Sequence, residues 1–459
     1  MTSGHECEES KPCPVPPHPD LLARLRYEPT SVTAPSITTQ IPGRSSFSAS
    51  TGTRTGLNDG CIFPESHFET AVSASRLSRA ALERTPLRGT IRAAVVLVDF
   101  QDKKMGENAA QYFKDLFFST GKIDTGSVAE YYNEVSGGKI SLSGEVVGPL
   151  RMPHKLSAYA HGDSGMTDAT PNAQTMAADA LDAAKGQVNF APYDNDHNGY
   201  VDAFVVVHAG QGAEETGRKD DLWSLKWTLP AVTGVNGVNI FAFLTIPEDA
   251  KAGVAAHELG HLLFGWPDLY DIDYSSEGAG NWCLMAGGSW GGSPPGVKPC
   301  HPSAWCKATQ GWVDKVVDTH TQSIKLDAVE DKLQVHRLWK SGDNASQEYF
   351  LLENREPIGF DQSLPGFGLL VWHIDDSQDD NHDERHYKVG LMQADALNQL
   401  GTRAGRGDPG DPFPGSTGNK NFTFRSNPSS RSHTGQDSKV SITNISAPAP
   451  TMTMDIAVI

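Results

Sequence analysis

The chain has 459 residues, 38% hydrophobic and 20% charged, enough for two or three domains around a sizeable core. A formal net charge of -18 argues against a nucleic-acid partner, because phosphate backbones need basic faces; it suits an acidic solvated surface or a binder of cations. No stretch is long and apolar enough to span a bilayer, and the opening MTSGHECEESKPCPVPPHPD lacks the apolar core of an export signal.

Residues 1–88 differ in composition from the rest of the chain. PPHPDLLARLRYE predicts a short helix after a proline-rich lead. SVTAPSITTQIPGRSSFSASTGTRTG is dominated by Ser, Thr, Gly and Pro, which favour loops. The region reads as a propeptide or a flexible N-terminal tail. IRAAVVLVDF (91–100) is a nearly continuous β-branched run and predicts a buried strand. AAQYFKDLFF, SVAEYYNEVS and NAQTMAADALDAAK carry helical spacing, while KISLSGEVVGPLRMP predicts paired strands with a turn. YVDAFVVVHAG (200–210) predicts a second buried strand. DAKAGVAAHELGHLLF predicts a helix that stops at Gly265 and Pro267. Beyond about residue 320, SIKLDAV, EYFLLENRE, GFGLLVWHID, HYKVGLMQAD, KVSITNI and TMTMDIAVI read as strands between Gly/Asp/Asn-rich loops. The order implies an α/β (α+β) part, residues 89–320, with an active-site helix and a mixed sheet. Residues 321–459 form a β-rich part after it.

The chemistry concentrates in AAHELGHLLFGWPDLYD. His257, Glu258 and His261 spell H-E-x-x-H. At 3.6 residues per turn, positions i and i+4 share a face, so both imidazoles can meet one metal ion. Zinc suits two neutral imidazoles in a tetrahedral site with one open position. Glu258, beside that face, can act as general base toward an attacking water whose pKa the metal lowers. Hydrogen-bonded histidines on a half-buried helix are the plainer alternative, but Gly265 and Pro267 turn the chain back, and acids come next at Asp268, Asp271, Asp273 and Glu277. Downstream, GNWCLMAGGSWGG (280–292) resembles the Met-turn of metzincins, with Met285 at its centre.

DNDHNGYVD (194–202) sets Asp194, Asp196, Asn198 and Asp202 at alternating positions, with Gly199 for a tight turn and the Tyr200 carbonyl as a further oxygen. The run resembles the first nine positions of an EF-hand loop and predicts a calcium site. Position twelve is Val205, so Glu214 or Glu215 would have to supply the last carboxylate. The alternative is an Asp/Asn/Gly turn entering a strand without metal.

HELGH with PDLYD, GNWCLMAGGSW, HPSAWCKATQGWV, EYFLLENRE, PGFGLLVWHID and GDPFPGST resemble the M6 metallopeptidases of the immune inhibitor A type, in collinear order over roughly residues 90–459. The resemblance implies an extracellular zinc endopeptidase with a zincin/metzincin-like catalytic domain and an N-terminal prosegment cut near Arg84 or Arg88. It implies His257 and His261 as zinc ligands, Glu258 as general base and Met285 as the Met-turn methionine. Asp268 becomes the expected third ligand, with Asp271, Asp273 and Glu277 as alternatives. Tyr270, Tyr274, His301 and His373 are candidates for stabilising the oxyanion or seating substrate.

The expected cofactors are Zn2+ and Ca2+, the expected partners are protein or peptide substrates, and a monomer is expected. Two other functions remain open: a non-catalytic, calcium-stabilised binding or adhesion protein with a relict zinc site, and a zinc hydrolase of non-peptide amides. Among Cys7, Cys13, Cys61, Cys283, Cys300 and Cys306, the close spacings allow Cys7–Cys13 and Cys300–Cys306 pairs. A cysteine of the prosegment (Cys7, Cys13 or Cys61) could instead hold the zinc closed, since thiolate is a good zinc ligand.

Overall fold

A computed structural model describes residues 12–27 and 84–459. Cys7 and Cys61 lie outside the described residues. The first sheet has six strands in the order β1-β5-β6-β4-β2-β3. These are Cys13–Pro14 (β1), Gly89–Asp99 (β2), Ile140–Arg151 (β3), Phe204–His208 (β4), Leu225–Val235 (β5) and Val238–Pro247 (β6). β3, β2, β4 and β6 run parallel; β5 and then β1 are added antiparallel. The central strands β2 and β4 are buried on both faces, which explains their unbroken Val/Ala/Leu runs.

Three expectations change here. KISLSGEVVGPLRMP forms one strand, not a hairpin. Its glycines serve close approach: a Cβ at Gly144 would collide with the Ala93 carbonyl, and Gly148 sits at a φ of 102° where the register shifts. The strand expected over 200–210 shortens to β4, with Tyr200 making only an isolated bridge to Asn239. Most of HYKVGLMQAD is loop, pairing only at Val389–Leu391.

Helices Ala109–Phe118 and Val128–Val135 match the expected spacing. The second begins in a capping box, with Ser127 and Glu130 satisfying each other's backbone amides. Helix Ala252–Phe264 is buried along its whole length. The remaining strands form a five-stranded sheet, β12-β11-β10-β9-β7, and a three-stranded one, β13-β14-β8. These strands are Asp314–Val317 (β7), Gln322–Asp327 (β8), Gln334–Leu338 (β9), Glu348–Arg355 (β10), Gly368–Asp375 (β11), Val389–Leu391 (β12), Val440–Thr443 (β13) and Thr451–Val458 (β14). One continuous cluster of buried side chains joins both halves, and the β-rich half grips the loop after the long helix: Asn381 donates to the Leu269 carbonyl at 2.8 Å and Arg406 to Glu277 at 3.2 Å.

The Cys300–Cys306 pairing does not form: Cys283, Cys300 and Cys306 are buried thiols, and Cys13 is buried as a thiol too. Among the described residues, no helix is long and apolar enough to cross a membrane.

A buried ion network in the β-rich half reaches the first half through Lys307, 2.8 Å from Glu353. Arg355 grips Asp361 with two parallel bonds of 2.6 and 2.7 Å and reaches Glu353 at 3.1 Å, all three residues being fully buried. Arg355→Met strands Asp361 without its guanidinium, while Glu353 keeps Lys307 at 2.8 Å. We expect a loss of about 3–5 kcal/mol in denaturant unfolding; a loss below about 1 kcal/mol would contradict this role.

Candidate metal centre

Helix Ala252–Phe264 presents His257 and His261 one turn apart, as i, i+4 spacing requires. The helix ends at Gly265, whose φ of 65° is left-handed; its N–H bonds the His261 carbonyl at 3.0 Å and the Trp266 N–H bonds the Gly260 carbonyl. This stop aims the Trp266 carbonyl at His261 Nδ1, 2.6 Å away, and returns Asp268 to the helix face. His257 Nδ1 donates to the Leu284 carbonyl at 3.0 Å. A carbonyl only accepts, so each Nδ1 carries the proton and each neutral ring turns a bare Nε2 inward. Burial pushes the pKa of His261 down, which keeps that ring neutral.

The two Nε2 atoms lie 3.1 Å apart, and Asp268 Oδ1 is 3.2 Å from both. Two bare lone pairs cannot hydrogen-bond each other, so this triangle is suited to a shared cation. Its edges are close to the roughly 3.3–3.6 Å expected for tetrahedral ligands at zinc–N/O bonds of about 2.0–2.2 Å.

Glu258 is fully buried, and neither oxygen makes a hydrogen bond of ordinary geometry. Burial first, then Asp268 and Glu214, raises its pKa well above the ordinary value. A carboxyl group so placed is poised to take up a proton. Met285 lies beneath the helix: a Cβ on Gly260 would come within 2.7 Å of its sulfur, which explains a glycine at a mid-helix position. The Met285 carbonyl accepts from Leu269 N–H at 2.7 Å, next to Asp268, so this one turn supports both ends of the ligand set.

The alternative third ligands are occupied elsewhere. Asp271 accepts from Ser275 and from the amide and hydroxyl of Ser276; Asp273 lies with Asp271 and His382; Glu277 pairs with Arg406. Of the oxyanion or substrate candidates, Tyr270 donates to the Pro14 carbonyl at 2.8 Å and Tyr274 stacks on Tyr270 at 5.8 Å. His301 is placed in another cluster, bonded to Glu134 at 3.0 Å and, through its amide, to Asp361. His373 pairs with Glu348 at 2.9 Å and stacks on His433 at 4.0 Å.

The loop 194–202 brings carboxylates of Asp194, Asp196 and Asp202 within 4.8 Å of one another. Asn198 Oδ1 accepts from Tyr200 N–H. Arg84 reaches in, 3.2 Å from Asp202 and 3.9 Å from Asp196. Glu214 and Glu215 do not complete this loop. β4 carries the chain away from it, and Glu214 bonds Ser224 while Glu215 pairs with Lys251 at 3.1 Å.

Residues 88–316 match the family described as Immune inhibitor A peptidase M6, catalytic domain. The chain belongs to the M6 peptidase family. The pre-pro-metalloprotease PrtV of Vibrio cholerae is 30% identical over 310 residues, covering 56% of this chain and 33% of that protein. Immune inhibitor A of Bacillus thuringiensis subsp. alesti is 34% identical over 212 residues, covering 39% of this chain and 30% of that protein. The chain thus spans about a third of the length of these relatives. Metalloproteinase-II from Bacteroides fragilis overlaps 50% of this chain and 59% of its own at 15% identity, with a TM-score of 0.23, too loose a likeness to carry structural detail.

Proposed function

We propose that the chain is a zinc-dependent endopeptidase in which His257, His261 and Asp268 hold the metal and Glu258 is the general base. The observation that carries this reading is the triangle of two bare imidazole nitrogens and a carboxylate oxygen beside a buried, unbonded glutamate. When bound there, zinc lowers the pKa of a water and polarises the peptide carbonyl. Glu258 takes the proton from the attacking water and delivers it to the leaving amine. The Leu284 and Trp266 carbonyls fix the two ring tautomers, and such outer partners are worth about 10–100-fold in metal affinity. The apolar helix faces around Leu259, Leu262 and Leu263 keep the site dry and its geometry fixed. Export and processing belong to the same proposal, since the Vibrio relative is named a pre-pro-metalloprotease.

The test is hydrolysis of casein by the purified chain, with metal content measured before and after a chelator. Hydrolysis lost with the metal and regained with Zn2+ supports the peptidase. A chain that keeps zinc and cuts nothing, even when trimmed to start near Arg88, is instead a binding protein.

The same reading includes calcium on Asp194, Asp196, Asn198, Asp202 and the Tyr200 carbonyl. The carboxylates of Asp194, Asp196 and Asp202 within 4.8 Å of one another support it; Arg84, paired with Asp202 and Asp196, has to give way to the ion. Calcium at about 100 times its Kd should stabilise the fold by about 2.7 kcal/mol. Thermal unfolding should show the rise in wild type and not in Asp196→Ala; equal curves with and without calcium would remove this site.

A further inference from the structure

Residues 12–18 are buried against the metal centre, although 248 positions separate Cys13 from His261 in sequence. Cys13 and Pro14 pair antiparallel with Lys226 and Leu225 at the outer edge of β5. Val15 N–H bonds the Ser224 carbonyl at 3.0 Å, and three side chains hold the segment's carbonyls: Tyr270 that of Pro14, Trp223 that of Val15 and Trp290 that of Pro16, at 2.8, 2.9 and 2.8 Å. An extended peptide on a sheet edge beside a peptidase centre occupies the place a substrate would take.

Cys13 Sγ, fully buried, stands 3.1 Å from Asp268 Oδ2 and 3.7 Å from His261 Nδ1. That Nδ1 is the outer, protonated nitrogen of the ring, so the sulfur meets the triangle through Asp268; one ligand atom each from Cys13, His261 and Asp268 lies within 4.8 Å of the others, a group able to hold one ion. The unbonded Glu258 carboxylate is a second sign that this cleft is built around a ligand. Resting on the peptidase reading above, we propose that residues 12–18 are a built-in inhibitor and that Cys13 closes the zinc site as its sulfur ligand. On ligation the S–H bond breaks, its proton leaves to solvent and a metal–sulfur bond forms. The sulfur then fills the position the attacking water needs, and Glu258 has no water to deprotonate. The sequence of the segment fits an occupant that is not cut. Pro14 comes directly after Cys13, and Pro16 and Pro17 after Val15, so rigid rings without N–H groups hold the chain extended while its carbonyls do the binding.

The test loads the full chain with Co2+ and records its absorption in three forms: wild type, Glu258→Gln and Cys13→Ser. Glu258→Gln lacks the base and so stays uncut. Wild type and Glu258→Gln should show a near-ultraviolet thiolate-to-cobalt charge-transfer band that Cys13→Ser lacks. Zinc-loaded Cys13→Ser should hydrolyse casein at least about tenfold faster than uncut wild type, because it loses an occupant held at millimolar effective concentration. Cobalt bound equally by all three without a Cys13-dependent band overturns the inhibitor and leaves the peptidase standing. Failure of every form to bind cobalt overturns the metal centre itself.

Discussion

Glu258→Gln should lower peptide hydrolysis by about 10²–10⁴-fold while leaving the bound zinc in place. The amide keeps the shape of the side chain but cannot take a proton from water. Neither Glu258 oxygen bonds a ligand residue, so the ring tautomers and the Asp268 contacts persist without it. Kinetics on a casein-derived peptide, together with metal content, separate the two roles. A variant that retains most of its activity would show that the base lies elsewhere. A variant that loses zinc would make Glu258 part of the ligand set.

Asp268→Ala should weaken zinc binding by more than the roughly 100-fold that marks the upper range for losing an outer partner. The substitution removes the only anionic corner of the triangle and leaves two neutral nitrogens 3.1 Å apart. Competition against a chromophoric chelator measures this directly. Near-wild-type affinity in Asp268→Ala would transfer the role to another carboxylate, with Asp271 the first to test because it is buried on the same loop.

The H-E-x-x-H pair was legible because helical periodicity alone puts both rings on one face. Asp268 was only one of four acids in the sequence. Its selection depends on the left-handed stop at Gly265 and on the Met285 carbonyl that fixes Leu269, and a backbone acceptor leaves no mark on residue identity. The hairpin β5–β6 went unread, although Asn236-Gly237 between apolar runs is a strong two-residue turn signal, and both residues adopt positive φ. That omission hid the edge on which Cys13 docks, so three N-terminal cysteines could not be told apart. His301 and His373 looked as eligible as any other histidine. Each is held instead by its own carboxylate partner, Glu134 from helix Val128–Val135 for His301 and Glu348 from the neighbouring strand β10 for His373.

The most direct test of the account is X-ray diffraction from crystals of the zinc-loaded chain, collected on either side of the zinc absorption edge. The account predicts one strong anomalous peak bounded by His257 Nε2, His261 Nε2 and Asp268. A peak elsewhere, or none in a chain that cuts casein, would contradict it.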